Sequence, residues 1–191
     1  MAISVDQKLE KRLMDIVTVY LYGLIDKTIY MRVPAGFDGE NCQNKCVRLL
    51  RAIYGLKQAG WIWFQQLKDF LLHKKFQNDE VCPCLFIRRD ERGLVIVAVY
   101  VDDLNIVGTS DAITAAAAEL KSEFEIKDLG VTTYCLGLQL ENFSQDDACG
   151  IFVHQTTYTR RVLKRFGMDT ATPLAAPMVV RKLDPPSADP Y

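Results

Sequence analysis

Histidine is nearly absent from this chain, with only His73 and His154 in 191 residues. That scarcity leaves no paired catalytic histidines and few ligands for a zinc site. Cys82-Pro83-Cys84 with His73 is the nearest approach to one, and its spacing is not that of a zinc knuckle. No glycine-rich phosphate loop and no nucleophile elbow is present, which removes the commoner nucleotide-binding and hydrolase classes. Internal repeats are missing too. The longest aliphatic run, Leu94 to Val101, falls far short of the ~20 residues a membrane span needs. The first twelve residues hold no apolar core of a secretory signal. With no such signal, the six cysteines are expected to be reduced thiols of an intracellular protein, and no membrane partner is expected.

Nor is there an excess of one charge: the net is −1, with 49% hydrophobic and 25% charged residues. These are globular proportions, and the length suits one substantial core with at most a small appended lobe. The charges are unevenly distributed. Residues 45–75 and 154–182 are basic, whereas residues 90–150 are acidic. A polyanion track beside a metal site needs such a distribution, and a solvated face beside an acidic helix produces it equally well.

The hydrophobic pattern alternates short strands and helices. Strands are expected at Leu13–Val17, Thr28–Val33, Cys46–Leu50, Cys84–Arg88, Leu94–Tyr100, Leu104–Val107, Thr132–Leu140 and Ile151–Val153. Trp63, Phe64, Leu67, Phe70 and Leu71 share one face of a helix over 59–76. Ser110 is positioned to cap a second helix reaching Ser122, and residues 156–166 form a basic amphipathic third. Turns are expected at Pro34-Ala35-Gly36 and at Asp102-Asp103, and the prolines from Pro173 onward suggest a linker. The order implies an α+β fold with an antiparallel sheet backed by helices.

Three acids stand out. Asp102 and Asp103 interrupt two apolar strands, and Asp15 interrupts the run Leu13-Met14-Asp15-Ile16-Val17. Burying an unpaired carboxylate costs several kcal/mol, so such residues require solvent at a turn or a cation. An ordinary acidic hairpin turn satisfies the demand for Asp102 and Asp103. The third carboxylate favours a hard divalent ion, Mg²⁺ rather than zinc.

The block Tyr100-Val101-Asp102-Asp103 resembles the motif C hairpin of reverse transcriptases, in a setting similar to that of copia-type LTR retrotransposons. Leu13 to Gly23 resembles motif A, followed by the copia hallmark Ile29 to Phe37. Ile53-Tyr54-Gly55-Leu56-Lys57-Gln58-Ala59 resembles motif B. Phe124 to Gly130 resembles motif D, and Tyr134-Cys135-Leu136-Gly137-Leu138-Gln139 the primer-grip motif E. Gly60 and Trp61 depart from the family pattern, away from the acids.

The resemblance implies an RNA-directed DNA polymerase domain of a Pol polyprotein, with a palm-type sheet over 1–141, a thumb- or connection-like segment over 142–172 and a linker over 173–191, most of the fingers being absent. It implies that Asp15, Asp102 and Asp103 bind two Mg²⁺ ions, with Mn²⁺ as an alternative. Tyr20 is then the steric gate against a ribose 2′-hydroxyl. Gly55 and Gln58 lie near the nucleotide and template base, and Lys127 protonates the leaving pyrophosphate. Leu136, Gly137 and Leu138 press on the primer end, and Arg160, Arg161, Lys164 and Arg165 contact phosphate. The implied partners are an RNA template, a DNA primer and dNTPs, with room for a homodimer, in cytoplasmic virus-like particles. The alternative is a non-catalytic nucleic-acid-binding remnant of the same palm.

Overall fold

The computed structural model describes residues 2–34, 36, 45–145 and 148–173. Cys42, Phe37, the middle of the turn expected at Ala35 and the linker beyond Pro173 lie outside the described residues. In chain order the elements are α1 (Ala2–Asp6), β1 (Glu10–Ile16), a 3-10 turn (Val19–Tyr22), β2 (Tyr30–Arg32), β3 (Cys46–Arg48), α2 (Ala59–His73), β4 (Gln77–Asn78), β5 (Leu85–Asp90), β6 (Gly93–Tyr100), β7 (Asp103–Gly108), α3 (Ser110–Glu123), β8 (Ile126–Val131), β9 (Tyr134–Cys135), β10 (Leu138–Gln145), β11 (Ala148–His154) and α4 (Thr156–Arg165). The expected class holds: antiparallel sheets with four helices.

The main sheet has six strands in the order β4-β5-β6-β7-β1-β8. Its centre is out of sequence order. The first strand inserts between β7 and β8, which sets residues 10–16 against residues 103–108 and 126–131. Alternation along each strand then divides the side chains between two faces. Met14, Ile16, Phe86, Val95, Val97, Leu104 and Ile106 are buried on the face covered by helices. Against them α2 packs Trp63, Leu67 and Leu71, four residues apart, while α3 packs Ala112, Ile113, Ala116, Ala117 and Leu120. Each fully buried leucine or isoleucine in such a core contributes roughly 1.5–3 kcal/mol by removal from water.

Several boundaries differ from the sequence-based expectation. The helix expected over 59–76 stops at His73, because Lys75 turns left-handed at φ 65 and the Lys75 and Phe76 amides fold back onto the Leu72 and Leu71 carbonyls. Thr109, extended at φ −71 and ψ 151, takes the N-cap place expected for Ser110. The single strand expected over 132–140 is a hairpin. Residues 136 and 137 are both left-handed, and the chain folds back at that point. The strand β8 was not among those expected. The turn expected at Asp102-Asp103 sits one residue earlier, at Val101-Asp102, with Asp103 already paired to Tyr100 in β7.

The chain divides into two compact units, 1–154 and 155–191. The β10–β11 hairpin therefore belongs to the first. Among the described residues of the second, α4 exposes almost all of its side chains and carries Lys164 and Arg165 in its last turn, where the helix dipole favours cations.

Candidate active site

Asp15 lies next to last in β1, and its placement follows from strand alternation. Met14 and Ile16 point into the core, so Asp15 between them faces the opposite, open side of the sheet. The acid thus does not occupy a core position, which corrects the expectation drawn from its apolar run. On that open side the register sets Asp15 directly across from Asp103 on β7 and from Lys127 on β8. Directly opposed residues of antiparallel strands carry Cβ atoms about 4.5–5.5 Å apart, so Asp103, Asp15 and Lys127 form a short row across three strands.

Asp102 completes the group from the β6–β7 turn. Its carbonyl accepts a hydrogen bond from the Ile16 amide at 2.9 Å, which fastens the turn to the end of β1. From below, the Trp63 indole N–H donates to the Val101 carbonyl at 2.7 Å, so the buried face of α2 holds the same turn. Val101 itself adopts φ 55. A β-branched residue is strained in the left-handed region, and the packing on both sides maintains it there.

The acids and the tyrosines beside them feel one another's charge. The Asp103 carboxyl is raised above the usual range by partial burial and then by the Asp102 and Asp15 carboxylates. Tyr54 is raised by desolvation, by the Asp102 charge, by Tyr20, by its hydrogen bond to Asp102 and by Asp15. The Tyr20 and Tyr54 rings meet edge-on with centroids 4.4 Å apart. Tyr20 is brought there by the 3-10 turn, which starts after Thr18 in a left-handed conformation at φ 53. Tyr54 was not singled out from the sequence. Its only signal there was an aromatic residue beside the glycine of the 53–59 block, and it stands 63% exposed.

The other expected positions fall around this group. Gly55 has φ +94, and among the described residues nothing beyond its two chain neighbours lies within 4 Å of where a Cβ would stand. Within the chain alone, glycine there answers a backbone requirement. Gln58 is the N-cap residue of α2 and lines a cavity of about 610 Å³ with Leu24, Asp26, Lys27 and Trp61. Leu136 and Gly137 make the two-residue turn between β9 and β10, with φ 50 and 82, the pattern of a type I′ hairpin. Leu136 and Leu138 are exposed at its tip. The hairpin reaches the sheet where Asn105 Nδ2 donates to Cys135 Sγ at 3.4 Å, and Leu136 shares an apolar cavity of about 450 Å³ with Tyr100. Burial, and then the Asp103 charge, raises the Cys135 thiol against the opposing Asn105 hydrogen bond. Trp63 is core, 2% exposed. Arg160 and Arg161 lie on the exposed α4 of the second unit.

Three neighbouring carboxylates are a hard-oxygen donor set of the kind a divalent cation such as Mg²⁺ takes. Among the described residues, however, no set of three His, Cys, Asp or Glu side chains stands in position to hold a metal ion. No helix among them is long and apolar enough to cross a membrane.

The family model "Reverse transcriptase (RNA-dependent DNA polymerase)" matches residues 1–180, and the chain belongs to that family. Its relatives include the retrovirus-related Pol polyproteins from transposon TNT 1-94 of Nicotiana tabacum, 31% identical over 93% of this chain, and from transposon RE2 of Arabidopsis thaliana, 32% identical over 93%. The expected kinship with copia-type elements holds. The chain spans 13% and 12% of the length of these two relatives. No solved structure matches it.

Proposed function

We propose that the chain is the palm of an RNA-directed DNA polymerase, extending a DNA primer on an RNA template. The observation that carries this reading is the placement of Asp15 across from Asp103, with Asp102 in the adjoining turn. Although their side chains do not stand as a ready-made metal site in this structure, Asp15, Asp102 and Asp103 are the residues that would hold Mg²⁺, or Mn²⁺, and the ions would supply activation of the primer 3′-hydroxyl and charge neutralisation at the leaving pyrophosphate.

The remaining roles belong to the chain itself. Tyr54 holds the Asp102 carboxylate by its hydroxyl, and Tyr20, against the Tyr54 ring, bars a ribose 2′-hydroxyl by its bulk. Lys127, opposite Asp15, stands ready to give a proton to the departing pyrophosphate. Gly55 and Gln58 border the nucleotide, and Leu136, Gly137 and Leu138 bear on the primer end. Residues 142–172 are read as thumb or connection, whose Arg160, Arg161, Lys164 and Arg165 meet phosphate. Cytoplasmic virus-like particles are the proposed place of work.

The test is extension of a primed RNA template by the purified chain with dNTPs and Mg²⁺. Extension is expected and should fall at least ~100-fold in Asp102→Asn, the loss typical of removing one electrostatic contact in a transition state. Equal extension by wild type and variant would sink the carboxylate assignment. Template binding without extension by either would instead identify a non-catalytic remnant.

A further inference from the structure

At the opposite end of β6 from the carboxylates lies a second, differently charged cavity of about 660 Å³. Seven residue steps along β6 at ~3.3 Å each put it on the order of 20 Å from the Asp102 turn. Its wall is formed by the end of α2 (His73, Lys74, Lys75), by the β5–β6 turn from Arg88 to Arg92, and by Glu119 of α3.

Arg88 is the fixed point of this cavity. Its side chain is 8% exposed, with its guanidinium 4.5 Å from the centre of the Phe76 ring. Nη1 donates to the Lys74 carbonyl at 2.9 Å and to Glu119 Oε2 at 2.8 Å, and Nε lies 3.4 Å from Asp90 Oδ2. Nη2 is buried with no hydrogen-bond partner. Glu119 and Asp90 are thus occupied with Arg88. Lys75, Arg89 and Arg92 are further cationic residues of the lining, with Glu91 as the remaining acid, while Lys74 Nζ lies over the Phe70 ring, 5.5 Å from its centre.

A helix C-terminus attracts cations, which accounts for Lys74 and Lys75 in part, yet Arg89 and Arg92 come from a separate element. Lys75 also sits where it is costly. It fills the left-handed position that ends α2, with its amide on the Leu72 carbonyl and the next amide on Leu71, a place glycine occupies at lower strain. Lys75 thus brings a cation to the lining of the cavity from a backbone position that favours glycine.

We infer that this cavity binds a phosphate-bearing anion, at a site separate from the carboxylate group. Two sources carry that chemistry, a small polyphosphate and the backbone of a nucleic-acid strand, and both are recognised by the same convergent lysine and arginine donors.

The experiment is a heteronuclear NMR titration of the whole chain, without divalent cations, using sodium tripolyphosphate in one arm and octathymidylate in the other. Saturable shifts are expected at the Lys75, Arg89 and Arg92 amides and at the Arg88 Nε–H. Response to tripolyphosphate identifies a small-polyphosphate site, and response to octathymidylate alone identifies a strand-backbone site. The double variant Lys75→Gly with Arg92→Ala should weaken the response about tenfold or more. Its melting temperature should be no lower for the Lys75 change, since glycine suits that backbone. No shift in either arm, or an undiminished affinity in the variant, would overturn the inference.

Discussion

Tyr20 and Tyr54 show how a single residue's meaning depends on its partner. Tyr20 alone is an aromatic after a strand, and Tyr54 alone an exposed ring. Packed edge-on, 4.4 Å apart, they become one wall beside Asp102. The two can be separated by substitution. Tyr20→Ala removes the bulk and should raise ribonucleotide incorporation about tenfold or more, as a steric filter of this size allows, measured by primer extension with rNTPs against dNTPs. Unchanged sugar selectivity would remove the gate role. Tyr54→Phe keeps the ring and deletes only the hydroxyl on Asp102. It should slow extension several-fold, on the scale of one hydrogen bond to a charged group, while leaving sugar selectivity unchanged. The acids were legible in the sequence because carboxylates inside apolar runs are conspicuous. Tyr54 was not, because its importance comes from a contact with a residue 48 positions later that only the fold creates.

At the scale of elements, the β6–β7 turn is held in a shape its sequence disfavours. Val101 at φ 55 carries a strain of about 1–2 kcal/mol for a side chain in the left-handed region. Val101→Gly removes that strain and adds about 0.4–1 kcal/mol of unfolded-state entropy, so the net expectation is a gain near 0.5–1 kcal/mol. The carbonyl that accepts from Trp63 is retained in the variant. Urea denaturation measures the difference, and a loss of stability would show that the valine side chain holds the turn by packing. Elements of strong period were legible, α2 from its apolar face and the β5–β6 hairpin from its polar turn. The β8–β9–β10 region was not. Its tightest turn carries Leu136, a residue that seldom takes positive φ, so the chain reversal had no turn signature. Legible strands also left the pairing open, since nothing in the chain order states that β1 inserts between β7 and β8.

For the molecule as a whole, Asp128 ties together parts distant in sequence. From β8 it receives Arg12 of β1 through Nε at 3.0 Å and Nη2 at 2.6 Å, and Lys121 of α3 at 2.9 Å. Burial acts to raise this carboxyl, but the hydrogen bonds from Arg12, Lys121 and the Gly130 amide, with the Arg12 charge, outweigh it and hold it down at about 2. A carboxyl whose folded-state value lies below its ordinary 3.8 stabilises the fold at every pH above that ordinary value. The contribution is lost as pH falls from about 4 towards 2, where folded and unfolded chains both become protonated. Discounted for the partial exposure of Arg12 and Lys121, it amounts to about 1–2 kcal/mol at neutral pH. Asp128→Asn should therefore unfold at lower denaturant than wild type at pH 7, with the difference narrowing steadily below pH 4 and closing near pH 2. Lys121→Met, which removes the more exposed partner, should lose less than about 1 kcal/mol over the same range. A gap between wild type and Asp128→Asn that stays constant from pH 7 to pH 2 would mean that the asparagine disturbs packing and that the cross-strand ion pair contributes nothing measurable.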